Sequence, residues 1–138
     1  MARIVCIGCV KSKRSRRSKA ADLYTSALFR KSYAYAQTLN PDQVFILSAK
    51  HGVLRPTDEI EPYEMTLKKM SRQERRAWSE KVLSELSKSA DLQNDEFVFL
   101  AGQPYREHLV NRIRNYTVPM EGLTFGQQLQ WLSERLPR

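Results

Sequence analysis

The chain has 138 residues, 41% hydrophobic and 28% charged, which is the size and balance of one ordinary globular domain. Its 23 Lys and Arg against 15 Asp and Glu give a formal net charge of +8, which favours a polyanionic partner without naming a fold or a reaction. No run approaches the roughly 20 apolar residues of a membrane span, and the phosphate loops G-x-x-x-x-G-K and G-x-G-x-x-G are absent, which disfavours triphosphate hydrolysis and dinucleotide redox chemistry.

In chain order, the opening "MARIVCIGCV" has one charge, a short apolar run and no cleavage pattern, so it reads as a first strand over residues 3–9 and not as a signal peptide. A cytoplasmic location is expected. Cys6 and Cys9 are three apart on a period of two and point to opposite faces, so neither a disulfide nor a metal is expected, and Cys6 is a core residue. Zinc wants about four ligands, and only His51 and His108 are available to join them. No cofactor is implied.

"KSKRSRRSK" then packs Lys11, Lys13, Arg14, Arg16, Arg17 and Lys19 into one loop, which reads as phosphate contacts or as a solvated basic loop. Residues 20–39 carry Leu23, Ala27, Leu28, Tyr35 and Leu39 at helical spacing, stopped by Asn40 and Pro41. Residues 43–48 form an apolar strand of the kind a parallel sheet buries on both faces. Residues 52–66, with Pro56 and Pro62, read as a long loop.

A second basic cluster, Lys68, Lys69, Arg72, Arg75 and Arg76, overlaps a helix start. Ser71 and Glu74 there form a capping box, and Trp78, Val82 and Leu86 mark the buried stripe. Residues 96–101 give a third strand, and Pro104 suits the first turn of a helix running to about residue 114. A short fourth strand is expected at 116–118. A closing helix over about 126–136 buries Leu129 and Leu132, with Trp131 nearby. The alternation predicts a single three-layer α/β domain over residues 1–138, with a mostly parallel sheet of three to four strands and helices on both faces.

Open parallel sheets bind ligands beyond the carboxyl ends of their strands. Here those ends lead into Gly8, Cys9, Lys11 and Lys13, then Ser48, Lys50, His51 and Gly52, then Gly102, Gln103, Tyr105 and Arg106. His51 is the candidate general acid or base, titrating near neutral pH. Gly52 suits a positive φ or a close backbone approach. Ser48 is expected to hydrogen-bond to substrate or to the neighbouring loop. Tyr24, Ser26 and Arg30 on the first helix, and Tyr63 with Asp58, Glu59 and Glu61 after His51, are further pocket candidates. An acidic group there could orient the imidazole, and Tyr63 could stack on a base.

The stretch "FILSAKHGVLRPTDEIEPYEMTL" resembles the YaaA-like proteins. The blocks at residues 8–13, 23–31, 47–63 and 101–105 together resemble small bacterial and phage proteins of unknown function, so the resemblance spans most of the chain. The resemblance to YaaA-like proteins, whose larger members are associated with oxidative stress and DNA binding, implies such roles. The spacing of Cys9 and Lys13, followed by Tyr24 and Ser26, is similar to a pattern of archaeosine synthase. That similarity implies Lys13 as a nucleophile toward a base. "AGQPY" is similar to a loop of uracil-DNA glycosylases, with no aspartate in the corresponding place.

Taken together, these readings give an enzyme directed at a nucleobase, nucleotide or nucleic acid, acting at an N-glycosidic bond or on the base. Lys13 and His51 are its catalytic candidates. Cys9, Tyr24, Ser26, Ser48, Lys50, Gly52, Tyr63, Gly102, Gln103 and Tyr105 are its substrate-binding candidates. Lys11, Arg14, Arg16, Arg17 and Lys19 are its nucleic-acid contacts. The alternatives are a non-catalytic DNA- or RNA-binding or stress-response protein using the basic loop, and a small regulatory protein whose pocket senses a metabolite. A nucleic-acid or nucleotide partner and no membrane partner are expected.

Overall fold

The computed structural model describes residues 1–8 and 13–137. Strand β1 (Arg3–Gly8) is central. It pairs in parallel with β3 (Gln43–Ser48) on one side and β6 (Glu96–Leu100) on the other, so that Val5 faces Val44 and Val98. Each of the three is a continuous apolar run, because a central parallel strand is covered on both faces. The sheet extends through β4 (Gly52–Leu54), antiparallel to β3, and through β7 (Asn115–Thr117), parallel to β6, giving the order β4-β3-β1-β6-β7. A two-stranded antiparallel ribbon, β2 (Ser18–Lys19) with β5 (Glu59–Ile60), ties the basic loop to the segment after β4.

Side-chain alternation along the strands makes two cores. Val5, Ile7, Ile46, Val98 and Leu100 pack with Phe29 and Ala36 of α2 (Ala27–Thr38) and Leu132 of α5 (Phe125–Arg135). Ile4, Cys6, Phe45, Leu47, Phe97 and Phe99 pack with Trp78, Val82, Leu83 and Leu86 of α3 (Arg72–Ser87). The crossover through α2 moves from β1 to β3, and the one through α3 moves from β3 back across to β6. A right-handed rule for both puts the two helices on opposite faces, and the three layers follow. Cys6 is fully buried, and that burial pushes its thiol up to about 12.

Several expected elements differ. The sheet has five strands, because β4 forms inside what the sequence suggested was a loop; β5 forms in the same stretch but pairs with β2 in the separate ribbon. The helix expected over residues 20–39 is broken into α1 (Ala20–Leu23) and α2. Tyr24 is extended between them, bridged to Lys13, and the Ser26 hydroxyl accepts the Phe29 N–H at 3.1 Å to start α2. That helix is capped by Leu39, and the next residue, Asn40, adopts φ +50°, a left-handed conformation that asparagine tolerates. The helix expected from Pro104 to about residue 114 is one turn, α4 (Gln103–Arg106), followed by a 3-10 turn Val110–Arg112. Ile113 is already extended at φ −118°, leading into β7, so the chain has no room for a longer helix. A second 3-10 turn, Leu67–Lys69, precedes α3, whose Ser71–Glu74 capping box is formed as expected.

Candidate functional site

Two groups of side chains lie beyond the carboxyl ends of the parallel strands. The first is a buried chain of hydroxyls at the end of β3. Ser48 Oγ and Tyr63 Oη are 2.7 Å apart, and Tyr63 Oη and Tyr24 Oη are 2.7 Å apart. Ser48 is fully buried, and Tyr24 and Tyr63 are 1% and 8% exposed. Ser48 Oγ also accepts the His51 backbone N–H at 3.1 Å, closing the turn that carries His51. Gly52 follows at φ +77°, a conformation that L side chains rarely adopt, and an added Cβ would collide with the Glu85 carboxylate.

The His51 ring meets the Tyr63 ring edge-on at 5.4 Å. Its Nε2 is buried and has no hydrogen-bond partner among the described residues. Burial first, and the charges of Lys50 and Lys81 second, hold its pKa below the ordinary histidine value, so the neutral ring is favoured. The Lys13 ammonium lies 4.5 Å from the Tyr63 ring centroid and 5.7 Å from that of Tyr24, a cation on two aromatic faces.

The second group surrounds a cavity of about 640 Å³. The four parallel strands run, in chain order, second, first, third, fourth across the sheet. The direction of winding therefore reverses between β1 and β6, where doubly wound sheets open their ligand crevice. The cavity lies there, with Gly8 at the end of β1, and Ala101, Gly102, Gln103 and Tyr105 after β6. A Cβ on Gly8 would stand 3.0 Å from that of Ala101, so glycine lets the two strand ends close up. Leu28 and Ser32 of α2 and Met120, Leu123, Phe125 and Gln128 near α5 supply the opposite wall. Lys68, Lys69 and Arg106 add positive charge, and no Asp or Glu is present among the described lining residues.

Trp78 connects the two groups. Its Nε1–H donates to the Ser48 carbonyl at 2.9 Å, and its ring meets Tyr105 edge-on at 5.7 Å.

The structure therefore brings Lys13, Tyr24, Ser48, His51 and Tyr63 together, with Gly52 beside them. It places Gly102, Gln103 and Tyr105 at the cavity. Ser26 serves as the α2 cap, and Arg30 and Lys50 are exposed. Of the acidic residues after His51, Asp58 accepts the Arg55 N–H, Glu61 pairs with Arg17 at 3.4 Å, and Glu59 is exposed on β5. Arg14, Arg16, Arg17 and Lys19 are exposed on the loop leading to α1, while Cys9 and Lys11 lie outside the described residues.

Sequence reasoning missed the cavity's far wall. Phe125 and Gln128 reach it only because α5 returns across the sheet to pack on α2. Lys68 and Lys69, legible in the sequence only as part of a basic cluster, also line the cavity. Among the described residues, no group of three or more His, Cys, Asp or Glu is arranged to hold a metal. No helix among them is long and apolar enough to cross a membrane.

The chain belongs to a family of unknown function, DUF6884, whose model matches residues 4–134. No curated protein matches the chain.

Proposed function

We propose that this chain binds a nucleobase, nucleoside or nucleotide in the cavity between β1 and β6, and acts on that ligand at the N-glycosidic bond or the base. The observation that carries the reading is the cavity itself. Its volume of about 640 Å³ lies within the few hundred to one thousand Å³ typical of small-molecule sites. It pairs a wide apolar wall with Lys68, Lys69 and Arg106 and no carboxylate among the described lining residues. An apolar ring system carrying an anionic group matches both features.

Catalysis is assigned to Lys13 and His51 on chemistry and not on lining, since neither is among the described residues around the cavity. The link runs through Tyr105, which lines the cavity, to Trp78 and so to Ser48 and the turn bearing His51. A neutral His51 with an unpartnered Nε2 is suited to accept a proton.

A second reading, a nucleic-acid binder, is favoured by Arg14 and Arg16, exposed on a strap whose ends are fixed by the Arg14 N–H to Leu23 carbonyl bond and by the β2–β5 ribbon. Either reading leaves room for a DNA- or RNA-derived partner.

Thermal-shift measurements with bases, nucleosides and nucleoside monophosphates test the binding half. A ligand at one hundred times its dissociation constant stabilises by about 2.7 kcal/mol, a shift of several degrees for a domain of this size. Stabilisation by a member of the set, abolished in Gln128→Trp, is expected. No stabilisation by any of them removes the reading. The catalytic half is tested with Lys13→Ala and His51→Ala: turnover should vanish while ligand-induced stabilisation remains.

A further inference from the structure

We infer that Lys68, Lys69 and Arg106 form a phosphomonoester subsite inside the cavity, an inference that rests on the cavity being the ligand site. The two lysines belong to the 3-10 turn Leu67–Lys69 and the arginine to α4, and these elements pack against each other. All three residues line the same cavity.

Their pairing sets them apart from neighbouring cations. Arg75 is paired with Glu107 at 3.3 Å and Arg112 with Glu80 at 3.0 Å, so those charges are already met by carboxylates. Lys68, Lys69 and Arg106 have no carboxylate partner among the described residues. Arg106 is nonetheless held in place, because its Nε–H donates at 3.2 Å to the carbonyl of Ala101, the residue just after β6. That bond uses the inner donor and leaves the terminal nitrogens for a bidentate anion.

The chain has no glycine-rich loop to cradle phosphate with backbone amides, so an anion here must be met by side chains. Three cations suit a terminal phosphate, which carries about −1.5 to −2 charge at neutral pH, better than the single charge of a phosphodiester. The Phe125 ring, 60% exposed and lining the same cavity, gives the base a face to stack on. The ligand is therefore a nucleotide with a terminal phosphate, either a free mononucleotide or the phosphorylated end of an oligonucleotide.

Calorimetric titration of the full chain with the four ribonucleoside monophosphates and the matching nucleosides tests this. A 5′-phosphorylated dinucleotide and its dephosphorylated form separate the two sources. At least one phosphorylated ligand should bind about tenfold or more tightly than its dephosphorylated form, the scale of a lost charged hydrogen bond. That advantage should disappear in Lys68→Gln/Lys69→Gln and in Arg106→Gln, with nucleoside affinity unchanged. Arg106→Lys keeps the charge and should retain part of the advantage, and unliganded melting of each variant reports whether it folds. Nucleosides binding as tightly as monophosphates, with the variants without effect, would overturn the subsite and leave the cavity reading standing. Failure of every nucleoside and nucleotide to bind would overturn both.

Discussion

Ser48 is the residue on which the end of β3 turns. Its hydroxyl accepts the His51 N–H and meets Tyr63 Oη, and the Trp78 indole holds its carbonyl. Ser48→Ala deletes the hydroxyl but leaves both neighbours buried without that partner, which costs about 1–3 kcal/mol. Urea unfolding of Ser48→Ala, Tyr63→Phe and the double variant should show the single losses failing to add, since both remove the same bond. A loss below about 0.5 kcal/mol for Ser48→Ala would mean the hydroxyl chain is not a stabilising element. His51, at the same turn, gives a pH signature. Its folded pKa lies below the unfolded value, so between the two the unfolded chain binds more protons and stability rises with pH. That contribution is complete above the unfolded value of about 6.5 and is lost as pH falls through the depressed folded pKa. It sits above the range where Asp95 acts, since the N–H groups of Asp91 and Ala2 hold that carboxyl below its ordinary value. Stability of wild type minus that of His51→Gln, measured by urea unfolding from pH 7.5 down to pH 5, should fall on acidification. A flat difference would show that His51 titrates alike in both states.

Helix α5 closes the cavity, and a single cap sets where it begins. Thr124 Oγ1 accepts the Gln127 N–H at 3.3 Å, and Gln127 Oε1 accepts the Thr124 N–H at 2.9 Å, a reciprocal box placed just ahead of Phe125. Thr124→Ala should cost about 1 kcal/mol in global stability. It should also weaken cavity ligands beyond that, since Phe125 and Gln128 occupy the first turn. Ligand affinity measured beside unfolding free energy separates the two effects. An unchanged affinity in a variant that is destabilised as expected would detach the helix start from the site. The same elements explain what could be read from the sequence. β1, β3, β6 and α3 were legible because each combines an unbroken apolar pattern with an explicit stop or cap. The break after Leu23 was not, because the apolar spacing continues through it. What interrupts the helix is a tertiary bond, Tyr24 Oη to Tyr63 Oη, between residues 39 apart. β4 was hidden for a related reason: only three residues long, it exists because Gly52 turns the chain back onto β3, with Leu54 opposite Ile46. Of the candidate site, the strand ends were found and the far wall was not, since local periodicity cannot say that the last helix returns to α2.

At the scale of the whole molecule, the net charge of +8 is distributed unevenly in a way that separates two kinds of anion binding. Lys68, Lys69 and Arg106 converge on a cavity, whereas Arg14 and Arg16 stand exposed on a strap outside its described lining. Arg17, in the same strap, is partly occupied by Glu61. Counterion release makes polyanion affinity fall with salt by a slope of about −0.9 per duplex phosphate neutralised, whereas a ligand held in a cavity by a few fixed donors depends on salt far less. If the strap carries duplex binding, Arg14→Ala/Arg16→Ala should reduce the logarithmic salt slope by about 2 and weaken binding alike for all sequences. The same variant should leave mononucleotide affinity in the cavity unchanged. Lys68→Gln/Lys69→Gln should do the reverse. Fluorescence anisotropy on a labelled duplex across a salt series, beside calorimetry with mononucleotides, reads both. Were the strap variant to lower mononucleotide affinity as strongly as duplex affinity, the two basic regions would be one continuous anion surface. Separable effects would instead describe a chain that takes hold of a polyanion with one region and one terminal nucleotide with the other.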